Sequence, residues 1–194
     1  RIVRRLVFTR WRNDDRMVRL DERAAIANNN KADLFISLHA NAALTALPAG
    51  AGVSYLSLDD ASGTSRESSD NRSVSVLGGG LRNIEAVSWE MAQISHIDQS
   101  AMFAAIVDAQ LRTLVDVRPS GSQAAPFRVL IGANMPAVLV ELGFLSNPNE
   151  EQKLTSASFQ ETLVRALFQS IVGFRVHVEQ PISPEAGNAF WEEP

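Results

Sequence analysis

Apolar residues recur along this chain in short runs, and their spacing changes from run to run. Residues 2–9, IVRRLVFT, are β-branched and apolar apart from an Arg pair, and predict a strand. Charged residues 10–19 predict a loop. In LDERAAIAN (20–28), Leu20, Ala24 and Ala27 fall on one helical face, and the stretch ends in Asn residues that favour a helix stop. LFISLH (34–39) is a mostly apolar run that predicts a buried strand, and GVSYLSL (52–58) alternates and predicts another. Residues 59–80, rich in Ser, Asp, Asn and Gly, predict a loop or insertion.

Helical periodicity then runs over 84–114, as one long helix or two joined near Asp98. After a loop at 118–125, segments 127–131 and 137–142 predict two short strands separated by GANMP. A short helix is expected at 149–154 and an amphipathic one at 158–174. Strands and helices interleave, which predicts an α/β fold: a mixed, mostly parallel sheet with helices on both faces. One domain is expected over 1–178. The closing stretch 179–194, with Pro181, Pro184, Gly187 and Pro194, predicts an extended tail or linker.

Composition narrows the class without changing that picture. The 194 residues suit one α/β domain, and 45% apolar with 21% charged residues is ordinary for a soluble protein. A net charge of −4 gives no global basic field to recruit nucleic acid or anionic lipid. The basic run Arg1, Arg4, Arg5, Arg10, Arg12, Arg16, Arg19 reads as a solvated strand edge and loop. No stretch approaches the roughly 20 apolar residues of a membrane span. The absence of Cys excludes disulfides and thiolate metal sites, leaving His and carboxylates as protein ligands. The chain opens at Arg1 in strand-like sequence, without an initiator Met or a visible signal peptide, so its natural start is expected upstream.

Two residues carry candidate chemistry. Glu141 interrupts the apolar run PAVLVELGF, where a carboxylate must find a counter-ion, a metal or a raised pKa. An Arg such as Arg128 in a structural ion pair is the simpler alternative. His39 closes LFISLH, where a strand gives way to a loop, either as a hydrogen-bonded structural residue or as a ligand. Both stand at the C-terminal ends of strands, where open α/β sheets collect their ligands. Together they suggest a pocket with one imidazole metal ligand and one general base.

The segments TRWRNDDRMVRLDERAAIANNNKADLFISLHANA (9–42) and NMPAVLVELGFLSNPNEEQKL (134–154) resemble the signature blocks of zinc-dependent N-acetylmuramoyl-L-alanine amidases of the Amidase_3 type. SWEMAQISHIDQSAMFA (88–104) resembles a helix of that family, and the likeness covers most of 2–175. The resemblance implies a mixed α/β domain that binds zinc through two His and one Glu. It implies hydrolysis of the amide between N-acetylmuramic acid and the L-alanine of the peptidoglycan stem. His39 in SLHAN matches the second His ligand, and Glu141 in VELGF the catalytic carboxylate. Zinc would polarise the amide carbonyl and acidify its bound water, while the carboxylate moves the proton to the leaving amine. Peptidoglycan as partner implies a periplasmic or extracellular location and leaves room for a regulatory activator.

The chain departs from the family pattern in two places. The first His, in a Gly-His-Gly-Gly turn, and the Glu ligand after it are absent, as though the first strand and helix were missing. RPSGSQAAPF stands where many relatives carry Arg-Gly-Val-Lys before Gln-Ala-Pro-Phe, so a substrate contact by that Lys is not expected here. His96 and His177 match no ligand position and are expected to be structural. Asn41 either holds a substrate group or caps a turn, Gln93 either packs or faces the groove, and Asn147 is expected to cap a helix. The competing functional reading is a non-catalytic wall-binding or regulatory module with a degenerate metal site. A different zinc amidohydrolase or carboxypeptidase fits the two blocks less well.

Overall fold

The computed structural model describes residues 18–56, 73–75, 81–83 and 89–179. The strand expected at 2–9 and the tail expected at 180–194 lie outside the described residues. Helix α1 (Leu20–Asn29) leads into β1 (Phe35–Asn41), then β2 (Gly52–Tyr55) and a separate two-stranded ribbon of β3 (Ser73–Ser75) and β4 (Leu81–Asn83). A 3₁₀ helix (Trp89–His96) passes directly into α2 (Ile97–Arg112), a join at the position the sequence suggests. The chain continues through β5 (Gln123–Ala124), α3 (Arg128–Ile131), β6 (Ala137–Phe144), α4 (Pro148–Thr155) and α5 (Ala157–Glu179).

The main sheet has the order β1-β6-β2-β5. β1 runs parallel to β6 and β2 parallel to β5, while β6 and β2 are antiparallel, which makes the sheet mixed and mostly parallel as expected. β6 is central and buried on both faces, which is why its sequence is almost continuously apolar. On one face Val53, Val138 and Val140 pack against Phe103, Val107 and Leu111 of α2 and Leu163, Ala166 and Phe174 of α5. The i, i+4, i+8 spacing on α2 supplies that stripe, and the rings of Phe103 and Phe174 meet at 5.0 Å between centroids. On the other face Phe35, Ala137 and Leu139 pack against Ala24 and Ala27 of α1 and Val129 and Leu130 of α3. Helices therefore cover both faces.

Segment 127–131 corrects the reading of its sequence: it is the short helix α3, not a strand. Four apolar residues cannot distinguish the two by periodicity, and the turn lets Val129 and Leu130 reach the α1 side of the core. The loop expected over 59–80 likewise contains β3.

Side-chain bonds fix how β6 enters the sheet. Asn28 donates Nδ2 to the Gly132 carbonyl at 2.8 Å and accepts the Asn134 amide at 2.9 Å. Ser100 Oγ accepts the Ala137 amide at 3.0 Å. Gln93 does not face a groove: it is fully buried and donates Nε2 to the Ala133 carbonyl and, at 2.7 Å, to that of Met135. Beyond β6, the Asn147 side chain accepts the Asn149 and Glu150 amides and caps α4, with Pro148 in the first turn.

Candidate active site

The β1–β6 register pairs Phe35 with Ala137 and continues in step until His39 stands opposite Glu141. Alternation then sends Ser37, His39, Leu139 and Glu141 to the α1–α3 face, away from Val138 and Val140. Past His39 the register shifts, and Asn41 pairs with Phe144. β1 does not end at His39 but extends two residues beyond it. His39, Asn41 and Glu141 line one cavity of about 380 Å³, whose other walls include Leu139, Phe127 and Arg128.

Glu141 is buried and held from two sides. Asn41 donates Nδ2 to Oε1 at 2.5 Å, and Arg118 donates Nη2 to Oε2 as an ion pair. The counter-ion is thus Arg118 rather than Arg128, which the sequence offered. Arg128 lies four residues past β5 on α3 and lines the cavity without an ion pair among the described residues. Of the two roles expected for Asn41, the turn bond is present, beside a second bond to Glu141. Its Oδ1 accepts the Ala42 amide at 2.8 Å, a turn-type bond, while its amide orients the carboxylate.

His39 Nε2 and Ser37 Oγ lie 2.7 Å apart, two residues along the same strand and on the same face. That contact occupies one ring nitrogen and leaves Nδ1 as the atom available to a ligand. Burial and the Arg23 guanidinium push the His39 pKa below its ordinary 6.5, and Glu141 opposes them. The imidazole is accordingly held neutral at pH 7, the form that binds a metal.

Sequence reasoning missed Ser37, Arg23 and Arg118. Ser37 had a signal, because i and i+2 share a face of any strand. Arg23 and Arg118 had none, since their approach to the site depends on tertiary packing. His96 and His177 are remote from the pair. His96 precedes α2 and lines a different cavity with Asp33 and Pro136, at the end of β6 where the strand begins. His177 is exposed on the last turns of α5.

The fold has a counterpart among known proteins. The chain belongs to the N-acetylmuramoyl-L-alanine amidase family (Amidase_3), whose model matches residues 4–172. It is 31% identical over 169 residues to the amidase AmiC of Escherichia coli O6:H1, covering 84% of this chain and 40% of AmiC. It is 28% identical over 170 residues to AmiA of Escherichia coli K12, covering 84% of this chain and 59% of AmiA. The chain thus spans about half the length of these curated relatives. Among solved structures, the N-acetylmuramoyl-L-alanine amidase of Clostridium difficile 630 superposes with a TM-score of 0.60 at 26% identity, over 87% of this chain and 71% of that one.

Proposed function

We propose that this chain forms most of the catalytic domain of a peptidoglycan hydrolase that cleaves the amide between N-acetylmuramic acid and the first L-alanine of the stem peptide. The observation that carries this reading is the pairing of a neutral imidazole and a buried carboxylate across β1 and β6, opening into one cavity. In this reading Glu141 is the general base. It takes a proton from water as the oxygen adds to the amide carbonyl, then gives that proton to the departing nitrogen as the C–N bond breaks. Asn41 keeps the carboxylate turned toward the cavity. Such a substrate places the protein in the cell envelope, periplasmic or extracellular. No helix among the described residues is long and apolar enough to cross a membrane.

The family resemblance makes zinc the expected metal and His39 one of its ligands. The residues described here do not by themselves fit that centre. A catalytic zinc site uses three protein ligands, and no group of three His, Cys, Asp or Glu comes together among the described residues. The chain has three histidines, and His96 and His177 stand away from His39. In this reading the remaining ligands come from sequence outside the described residues.

Two measurements test the proposal. Residues 1–194 alone should bind zinc weakly by calorimetry and release no stem peptide from purified peptidoglycan, and tight one-to-one binding with turnover would overturn this. In a longer protein that contains the chain and hydrolyses peptidoglycan, Glu141→Gln should abolish turnover and leave the zinc content unchanged. Retained activity there would remove Glu141 from the role of base. The competing reading, a wall-binding module without catalysis, predicts peptidoglycan binding and no turnover by that longer protein.

A further inference from the structure

The contact between Arg118 and Glu141 is built unlike an incidental surface ion pair. Arg118 reaches the carboxylate from beyond β2, and the β2 residue opposite Glu141 is Gly52. A Cβ on Gly52 would run into the Arg118 guanidinium. Glycine packs nothing and weakens a strand, so at the first residue of β2 it fits a site that another group approaches closely. The Arg118 backbone is pinned by its amide to the Ala51 carbonyl at 2.9 Å and by Arg112 Nη2 to its own carbonyl at 2.9 Å. Arg112 is itself anchored on Asp108 through Nε at 2.7 Å. The guanidinium also lies over the Phe144 ring, 5.9 Å from its centroid, within the range of a cation–π contact.

The manner of contact distinguishes positioning from simple neutralisation. A structural Arg–carboxylate pair is commonly bidentate, with two parallel N–H bonds covering both oxygens. Here one nitrogen, Nη2, meets one oxygen, and Arg118 Nε is buried without a partner among the described residues. Asn41 takes the other oxygen. An ionised carboxylate offers about four lone-pair sites, so two protein donors leave capacity for a proton and fix the plane in which it is accepted.

We propose that Arg118, passing over Gly52, is a positioning residue that holds the Glu141 carboxylate in its working orientation. This rests on the reading of Glu141 as base.

The test compares Arg118→Met, Arg118→Lys, Gly52→Val and the Arg118→Met/Gly52→Val pair in a zinc-loaded, active protein containing residues 1–194. For Arg118→Met, kcat should fall about 100-fold, the scale of a misplacement near 1 Å, with KM and zinc content unchanged. Lys should recover part of the loss. Gly52→Val should lower kcat similarly by displacing the guanidinium, and the pair should be no worse than the poorer single variant, because both remove one interaction. In the metal-free 194-residue chain, the Arg118 guanidinium protons should be protected from exchange by NMR, and Glu141→Gln or Gly52→Val should abolish that protection.

Unchanged kcat with only a lower unfolding midpoint would reduce the pair to a structural ion pair, and raised KM with unchanged kcat would make Arg118 a substrate contact. Either result overturns the inference. If Glu141→Gln stays active, the base assignment itself has failed. If Glu141→Gln is dead while Arg118→Met is fully active, only the role of Arg118 has failed.

Discussion

His39 and Glu141 stand opposite each other on adjacent parallel strands, and the register slips immediately afterwards so that Asn41 pairs with Phe144. Across this irregularity β6 carries one residue more than β1, Leu142 and Gly143 against Ala40, and Gly143 sits in it at φ +153°. A β-bulge of this kind bends its strand and re-aims side chains. The slip accompanies the turn of Asn41 onto Glu141.

Gly143→Ala should therefore destabilise the chain by about 1–3 kcal/mol, the scale of a residue forced into a sparsely populated backbone region. The added Cβ would also meet Glu150 Oε2 at 2.8 Å, the oxygen that accepts the Gly50 amide. Urea denaturation monitored by circular dichroism would measure this, and an unchanged midpoint would refute it.

Asn41→Ala removes one bond to a buried carboxylate without leaving it bare, because Arg118 remains. On the proposed reading, turnover in a zinc-loaded, active protein containing the chain should fall about tenfold, the low end of the 1.5–3 kcal/mol assigned to a bond to a charged group. If KM rises instead and kcat holds, Asn41 binds substrate rather than orienting the base.

The pH behaviour of His39 has a definite sign. Its folded pKa is depressed by burial and by Arg23, so the unfolded chain binds more protons between the folded value and about 6.5. The stability this group contributes is complete above about pH 6.5 and is lost as the pH falls through the folded value. NMR titration of the metal-free chain should give a His39 midpoint below 6.5. Arg23→Gln should raise it, since Arg23 lowers it, and Glu141→Gln should lower it further. A wild-type midpoint at or above 6.5 contradicts this account.

Gln93→Leu should cost about 2–3 kcal/mol, because it strips the Ala133 and Met135 carbonyls of a buried donor. Equilibrium unfolding would detect it, and a neutral result would mean that water replaces the amide.

Much of this architecture is legible in the sequence where one local signal suffices. The apolar run around Glu141 gives the central strand, the Phe103, Val107, Leu111 spacing gives α2, and Asn147 before Pro148 gives a capped helix. The reading fails where the local signal is short. Residues 127–131 form a single turn whose burial against α1 decides its conformation. His39 and Glu141 stand out because a polar residue closing an apolar run, or standing inside one as Glu141 does in β6, is conspicuous. Arg118 does not, because it lies in a polar loop and gains its meaning from a glycine 66 positions away in sequence, Gly52.

The carboxylate at the centre of the site is reached by Asn41 across 100 residues of chain and by Arg118 across 23. During synthesis, then, β1, β2 and Arg118 leave the ribosome before residue 141 emerges to meet them, Arg118 by 23 residues. Until β6 slides between β1 and β2, the growing chain holds an imidazole and a guanidinium with no base between them. On the proposed reading of Glu141 as base, the site acquires that group only with the last sheet strand among the described residues.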